Sequence, residues 1–276
     1  MFSRWNAKFG IAVSFLCLLV VTVVGCSSKA AAPEYASDPL AQREILFQVS
    51  TIDALLNGVY EGVETYGKVL QYGDFGIGTF EGLDGEMIGF DSNFYQVKAN
   101  GIAYPVSNSM KTPFACVTFF DIDHEERLSP GMDYVQLQQF IDDTLPTRNI
   151  FYAIKIEGAF RYMKTRSVPR QERPYPPLVD VTAKQPIFEF HDVKGTMVGF
   201  RCPDYVSGIN VPGYHLHFLT ESKDAGGHVL EFRVERAVAL VDYTPEFLMA
   251  LPGEDSDFYK IDLAQKKQGE LEQVEK

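Results

Sequence analysis

The 276-residue chain is poor in cysteine, with four, and has a single tryptophan. No CxxC pair occurs, so a thiolate zinc cage and a thioredoxin-like redox pair are both excluded. No GK[ST] closes any glycine-rich stretch, which excludes a phosphate-binding loop. Basic side chains are in deficit, 25 Lys and Arg against 37 Asp and Glu, for a net charge of −12. Nucleic-acid binding rests on neutralising phosphates with Lys and Arg, and this balance argues against it. Internal repeats and histidine-rich low-complexity tracts are absent. Beyond residue 26 no apolar run is long enough to span a bilayer.

The one long apolar run is at the N-terminus. Arg4 and Lys8 precede residues 9–24 (FGIAVSFLCLLVVTVV), and Val23-Val24-Gly25-Cys26 follows. This pattern reads as a secretory signal. It resembles a bacterial lipobox, with residues 1–25 removed, Cys26 lipidated and residues 26–38 as a tether. The expectation is an exported, membrane-anchored lipoprotein; the alternative is an uncleaved anchor helix. Cys17 falls within the signal. Cys116 and Cys202 remain, in apolar surroundings, either paired in an oxidising compartment or as two buried free thiols.

About 240 residues are left, enough for one large domain or two small ones. In residues 39–70, Ile45, Leu46, Val49, Ile52, Leu55, Leu56 and Val59 recur at threes and fours, a helical pattern. Residues 72–90 (YGDFGIGTFEGLDGEMIGF) read as short strands with tight turns. Further strands are predicted over 94–106, 114–121 and 150–163, and a helix over 133–145. Four prolines in residues 165–178 (TRSVPRQERPYPPL) mark a crossover, because proline restricts itself and its predecessor. The domain boundary is placed there, with an N-terminal domain over 39–168 and a C-terminal one over 169–276. Beyond it, IFEFHDV-KG-TMVGFRCP is predicted to form one hairpin, and GYHLHFL with HVLEFRVERAVALVDY another. The polar tail after Leu251 reads as a frayed end.

Three of the five histidines lie in GYHLHFLTESKDAGGHVLEF: His215, His217 and His228. Alternation along a strand puts His215, His217 and Leu219 on one face, and His228, Leu230, Phe232 and Val234 on one face of the next strand. The histidines then point inward, and hairpin pairing brings His228 near His217 or Leu219. Three neutral imidazoles converging in this way make a metal site with positions open for water or substrate. Zinc suits imidazoles well, but iron, manganese, nickel and copper also accept them, and the residues do not choose among them. His124 and His191, taken singly, read as hydrogen-bonded core residues. HLHFLTE also approximates a cupin motif, which would make Glu221 a ligand of an oxygenase or isomerase. A non-catalytic lipoprotein that captures metal is a third reading.

Three segments in order, TFEGLDGEMIG (79–89), YAIKIEGAFRYMKTRSVPRQERPYPPL (152–178) and GINVPGYHLHFLTESKDAGGHVLE (208–231), resemble the α-acetolactate decarboxylase family. The similarity runs from about residue 40 to the C-terminus. It implies a two-domain α/β (α+β) fold of mixed and antiparallel sheets, a barrel-like C-terminal half carrying the metal, and a homodimer. It implies decarboxylation of 2-acetolactate to acetoin at a zinc-type site, with the metal as Lewis acid stabilising an enediolate and no organic cofactor. By the same resemblance His215, His217 and His228 are metal ligands, Glu86 is an active-site carboxylate and Arg166 an active-site arginine. Thr79 lines the pocket, and a tail glutamate, Glu275 by position, reaches the metal. Glu270 and Glu272 compete for that last role. Asp91-Ser92-Asn93 replaces the glycine turn that is commoner in the family, a change confined to a loop.

Overall fold

The computed structural model describes residues 44–265 and 267–275, all within one compact unit. The expected signal over 1–25, lipidation at Cys26 and tether over 26–38 fall on residues outside those described. In chain order the elements are β1 (Ile45–Val49), α1 (Ile52–Leu56), β2 (Glu64–Thr65), α2 (Tyr66–Val69), β3 (Phe75–Thr79), β4 (Glu86–Phe90), β5 (Asn93–Val97), β6 (Ala103–Pro105), β7 (Lys111–Thr112), β8 (Ala115–Thr118) and β9 (His124–Leu128). Then follow α3 (Tyr134–Thr144), β10 (Phe151–Arg166), α4 (Leu178–Thr182), β11 (Ile187–Cys202), β12 (Gly213–Thr220), β13 (Gly226–Thr244), β14 (Glu246–Ala250) and α5 (Gln268–Val274).

A seven-stranded mixed sheet runs β14-β1-β8-β3-β4-β5-β6, with only β1 and β14 parallel. A second sheet runs β10-β11-β12-β13-β9, and β13 also pairs with β10, which closes four strands into a barrel-like ring. The fold is therefore α+β, with few and short helices. The boundary placed at 169 is not where one sheet gives way to the other. β9 and β10 precede it yet belong to the second sheet, and β14 follows it yet belongs to the first.

Three apolar clusters fill these layers. Ile154, Phe160, Phe218, Phe232 and Val234 fill the ring, closed at one end by Leu137 and Ile141 of α3. The α3 N-terminus is secured by a capping box, with the Asp133 carboxylate accepting from the Gln136 N–H. Phe75, Ile77, Ile88, Val198, Phe200 and Leu219 pack between the ring and the first sheet, with Phe75 and Phe200 edge to face at 5.8 Å. Phe47, Val49, Tyr66, Met87 and Phe94 cover the far side of the first sheet. Each fully buried side chain of this kind stabilises by about 1.5–3 kcal/mol.

The helix predicted over 39–70 is instead β1, α1, β2 and α2. β1 lies between β14 and β8 and is buried on both faces. A strand covered on both sides carries a near-continuous apolar run, which periodicity does not separate from a helix. Ser50, at φ 60°, and Gly58, at φ 81°, break the chain into short pieces. The hairpin predicted at Lys194-Gly195 is also absent, since β11 runs unbroken through it. Gly195 is there for close approach: a Cβ would lie 2.3 Å from the Leu219 carbonyl oxygen on β12. Asp91 and Ser92 form the two-residue β4–β5 turn with both φ positive, 51° and 61°, the geometry that favours glycine. His191 is exposed, against Tyr162 at 5.4 Å, and His124 is half-buried beside Glu126, so neither is a core residue. Cys116 and Cys202 are both buried free thiols.

Asp242 on β13 is 1% exposed, and its Oδ2 has no hydrogen-bond partner. Burial raises its pKa to about 8; the Asp121 N–H opposes the shift, and Asp123, Glu44 and Asp121 add to it. The folded-state pKa lies above the unfolded value near 4, so the native state holds the proton more tightly. Stability from this group is therefore full below about pH 4 and is lost as pH rises towards about 8. Asp242→Asn should flatten the fall in urea midpoint between pH 5 and pH 8. A slope identical to that of the wild type would show that Asp242 does not titrate in this way.

Candidate metal centre

β12 carries His215 and His217, and His228 is the third residue of β13, directly opposite His217 in the register. The three imidazoles do not share a face with Phe232 and Val234. A bulge at Leu230 sets Val229 and Glu231 against consecutive residues of β10, Thr165 and Lys164. That extra residue reverses the alternation. Val229 joins the ring interior with Leu216 and Phe218, while His228 points out of the ring towards the first sheet, as His215 and His217 do.

The ligand-type atoms of the three histidines lie within 4.8 Å of one another. His215 Nε2 is 3.2 Å from His217 Nε2 and 3.1 Å from His228 Nδ1. Ligands about 2.0–2.1 Å from a tetrahedral zinc ion stand roughly 3.3 Å apart, so the spacing fits one cation. The outer contacts orient two of the rings. His217 Nδ1–H donates to the Met87 carbonyl at 2.8 Å, leaving the Nε2 lone pair for the centre. His228 bonds the backbone of Glu275. Burial and then Arg166 push the His215 pKa down to about 3; burial takes His217 and His228 well below their usual range. All three rings are thus neutral and able to donate lone pairs at neutral pH.

The acidic and basic groups come from distant segments. Glu86 opens β4 opposite Thr79 at the end of β3. Arg166 ends β10 opposite His228. The Arg166 guanidinium donates to Glu86 Oε1 through Nη1 and to the Val274 carbonyl through Nη2, both at 3.0 Å, and its Nε has no partner. Glu86 Oε2 lies 3.7 Å from His217 Nε2. Glu275, just past α5, brings Oε2 to 3.8 Å from both His215 and His228. Burial raises both carboxyls to about 7; Arg166 opposes the shift in each, and Glu275 adds to that of Glu86. The tail is therefore not a frayed end. Glu270 instead pairs with Lys267, and Glu272 is exposed.

Thr79 lines the same cavity, of about 40 Å³. Its hydroxyl donates to the Gly85 carbonyl at 2.7 Å, which holds the turn between β3 and β4. Glu221 is exposed in the loop after β12 and outside the histidine cluster, which removes the cupin ligand set. Sequence reasoning missed the carbonyls of Met87 and Val274, since a main-chain acceptor leaves no residue-type signal. It also missed Leu83, which lines the cavity inside the LDG turn.

Fold and site together define an α+β protein whose pocket sets an arginine and two carboxyl groups around three neutral histidines. The chain belongs to the alpha-acetolactate decarboxylase family, whose model matches residues 46–265. It is 54% identical over 233 residues to the alpha-acetolactate decarboxylase of Methanosarcina mazei, covering 84% of this chain and 81% of that one. The Bacillus subtilis enzyme is 44% identical over 218 residues, covering 79% and 85%. The crystal structure of alpha-acetolactate decarboxylase from Bacillus subtilis strain 168 superposes with a TM-score of 0.82 at 42% identity, covering 84% of this chain and 99% of that one.

His217→Ala should strip bound divalent metal from the purified protein while leaving its circular dichroism spectrum intact. Elemental analysis that still found one equivalent of metal would remove His217 from the ligand set.

Proposed function

We propose that this protein converts 2-acetolactate to acetoin and CO₂ with one divalent metal ion, zinc as first candidate, and no organic cofactor. The convergence of three lone-pair nitrogens beside a buried arginine with an unpartnered Nε carries this reading. Acetolactate is a β-keto acid with a hydroxyl on its quaternary carbon. Breaking its C–CO₂ bond leaves an electron pair that the neighbouring ketone oxygen must take up. A divalent ion held by His215, His217 and His228, with Glu275 within reach, supplies Lewis-acid stabilisation of that charge when bound.

The chain's own residues do the rest. Arg166 binds the substrate carboxylate, because a planar guanidinium with a free donor matches that anion. Glu86 holds a proton near neutrality and delivers it to the carbon that has lost CO₂. Fixed by Arg166 on one side of the cavity, it protonates one face, which makes the product chiral. The named relatives are decarboxylases, which favours catalysis over metal capture.

The Arg4/Lys8, apolar and Gly25-Cys26 pattern supports an exported lipoprotein anchored to a membrane through Cys26. A homodimer follows from the family resemblance.

The test is acetoin formation from racemic acetolactate by the purified soluble portion, with and without chelator. Chelator-sensitive acetoin is expected; none in either condition would overturn the proposal. Glu86→Gln should keep its metal and lose about 10²–10⁴-fold in turnover. An unchanged rate would take Glu86 out of the proton path.

A further inference from the structure

The three imidazoles are not held alike. His217 donates from Nδ1 to the Met87 carbonyl, and His228 bonds the backbone of Glu275. His215 Nδ1 is buried and has no hydrogen-bond partner among the described residues. A ligating histidine is ordinarily oriented through its outer nitrogen. The orientation of His215 therefore depends on the main chain that carries it.

That main chain lies where two strands part. β12 pairs with β11 along its whole length, Gly213 to Thr220. With β13 it pairs only over His217, Phe218 and Leu219. At Tyr214 and His215 the edge of β12 away from β11 has no strand beside it among the described residues. A groove of about 590 Å³ is lined by Gly213 and Tyr214 of this edge, by Leu230 of β13, and by Tyr134 and Glu275.

α3 stands in for the missing strand. Tyr134, its first residue, donates from its hydroxyl to the Tyr214 carbonyl at 3.2 Å. The Tyr214 hydroxyl donates in turn to Asp142 Oδ1, two turns further along α3, at 2.9 Å. Asp142 also accepts from Arg201 Nε at 3.2 Å, and Arg201 is the β11 residue opposite Tyr214. The residue before His215 is thus gripped by main chain and by ring. The Tyr134 ring is itself packed on Phe232, with centroids 5.6 Å apart. Burial, and then Glu275, hold its phenol well above the usual range, so it keeps its proton and remains a donor.

We propose that Tyr134 is a positioning residue for the metal centre: its hydroxyl fixes the peptide between Tyr214 and His215, and through it the direction in which His215 Nε2 points. This rests on the metal-dependent reading above. Tyr134 touches neither the ion nor the substrate in this role. It supplies from α3 the outer support that His217 takes from Met87.

The test titrates cobalt(II) into metal-free wild type, Tyr134→Phe and Tyr205→Phe, reading calorimetric heat and the visible bands of the bound ion. Tyr134→Phe loses one oxygen and keeps the ring on Phe232. Tyr205 is an exposed control whose hydroxyl also donates to a main-chain carbonyl, that of Asn149, at 2.9 Å. Tyr134→Phe should bind cobalt about 10–100-fold more weakly, the usual loss when an outer support of a ligand is removed. Its bands should stay shifted at saturation, while its metal-free form melts only about 2–4 °C lower. Tyr205→Phe should match the wild type in affinity and bands. Weaker binding with wild-type bands at saturation would make Tyr134 a stabilising residue only and overturn the proposal. Wild-type affinity and bands in Tyr134→Phe would overturn it outright. A wild type that bound no cobalt would instead refute the metal-dependent reading, and this inference with it.

Discussion

The burial of one guanidinium beside three imidazoles is the constraint from which the rest of the site follows. Arg166 is 4% exposed and ends a strand opposite His228. A buried cation is tolerated only where hydrogen bonds and opposite charge compensate it. Glu86 supplies the charge and the Val274 carbonyl a further acceptor. The same positive charge acts on the histidines, where it works with burial to keep the rings unprotonated. Neutral imidazoles are the form that offers lone pairs to a cation, so Arg166 acts on the electrostatics of the three rings from outside the histidine cluster. It also ties the chain's last helix to the pocket, because one of its partners is a main-chain group at the end of α5.

The position of the pocket follows from a single extra residue. Had β13 kept strict alternation through Leu230, His228 would have shared the ring interior with Phe232 and Val234. The bulge turns His228 outward, to the side where β4 brings Glu86 and the Met87 carbonyl. The three histidines, Glu86 and Arg166 thus sit between two sheets, away from the packed interior of the ring. An apolar cluster shared by both sheets packs the seam between them, and the polar groups gather within it, where the Met87 carbonyl, Glu86 and Glu275 reach them.

How much of this was legible in the sequence depended on the range of each signal. The helix over 133–145 was readable because α3 buries one face, through Leu137 and Ile141, and opens on a capping box, and the strand over 150–163 because β10 is long and rich in aromatic and β-branched residues. The segment over 39–70 was not, because β1 is covered on both faces by partners far away in the chain. Lys194-Gly195 looked like a turn, yet Gly195 answers a close approach from Leu219, a tertiary fact with no local signature. His215 and His217 were legible as a pair from alternation alone. The face they shared with His228 was misjudged, since a bulge is set by the partner strand and not by the bulged residues.

The groups drawn from outside the histidine hairpin divide along the same line. Glu86, Arg166 and Thr79 came from motif resemblance, and no periodicity would have singled them out. Glu275 is separated from His228 by 47 positions of chain and meets it only because Leu271 and Val274 pack α5 into the inter-sheet core. Such a contact is encoded in two apolar residues whose spacing on a short helix is unremarkable. Leu83 is harder still to read. Its side chain belongs to the commonest core type, and what sets it apart is a positive φ in a turn that donates to the Tyr60 carbonyl and accepts from Gln96 and Gln171. Where neighbours dictate a residue's conformation in this way, its meaning lies in the fold around it and not in its own identity.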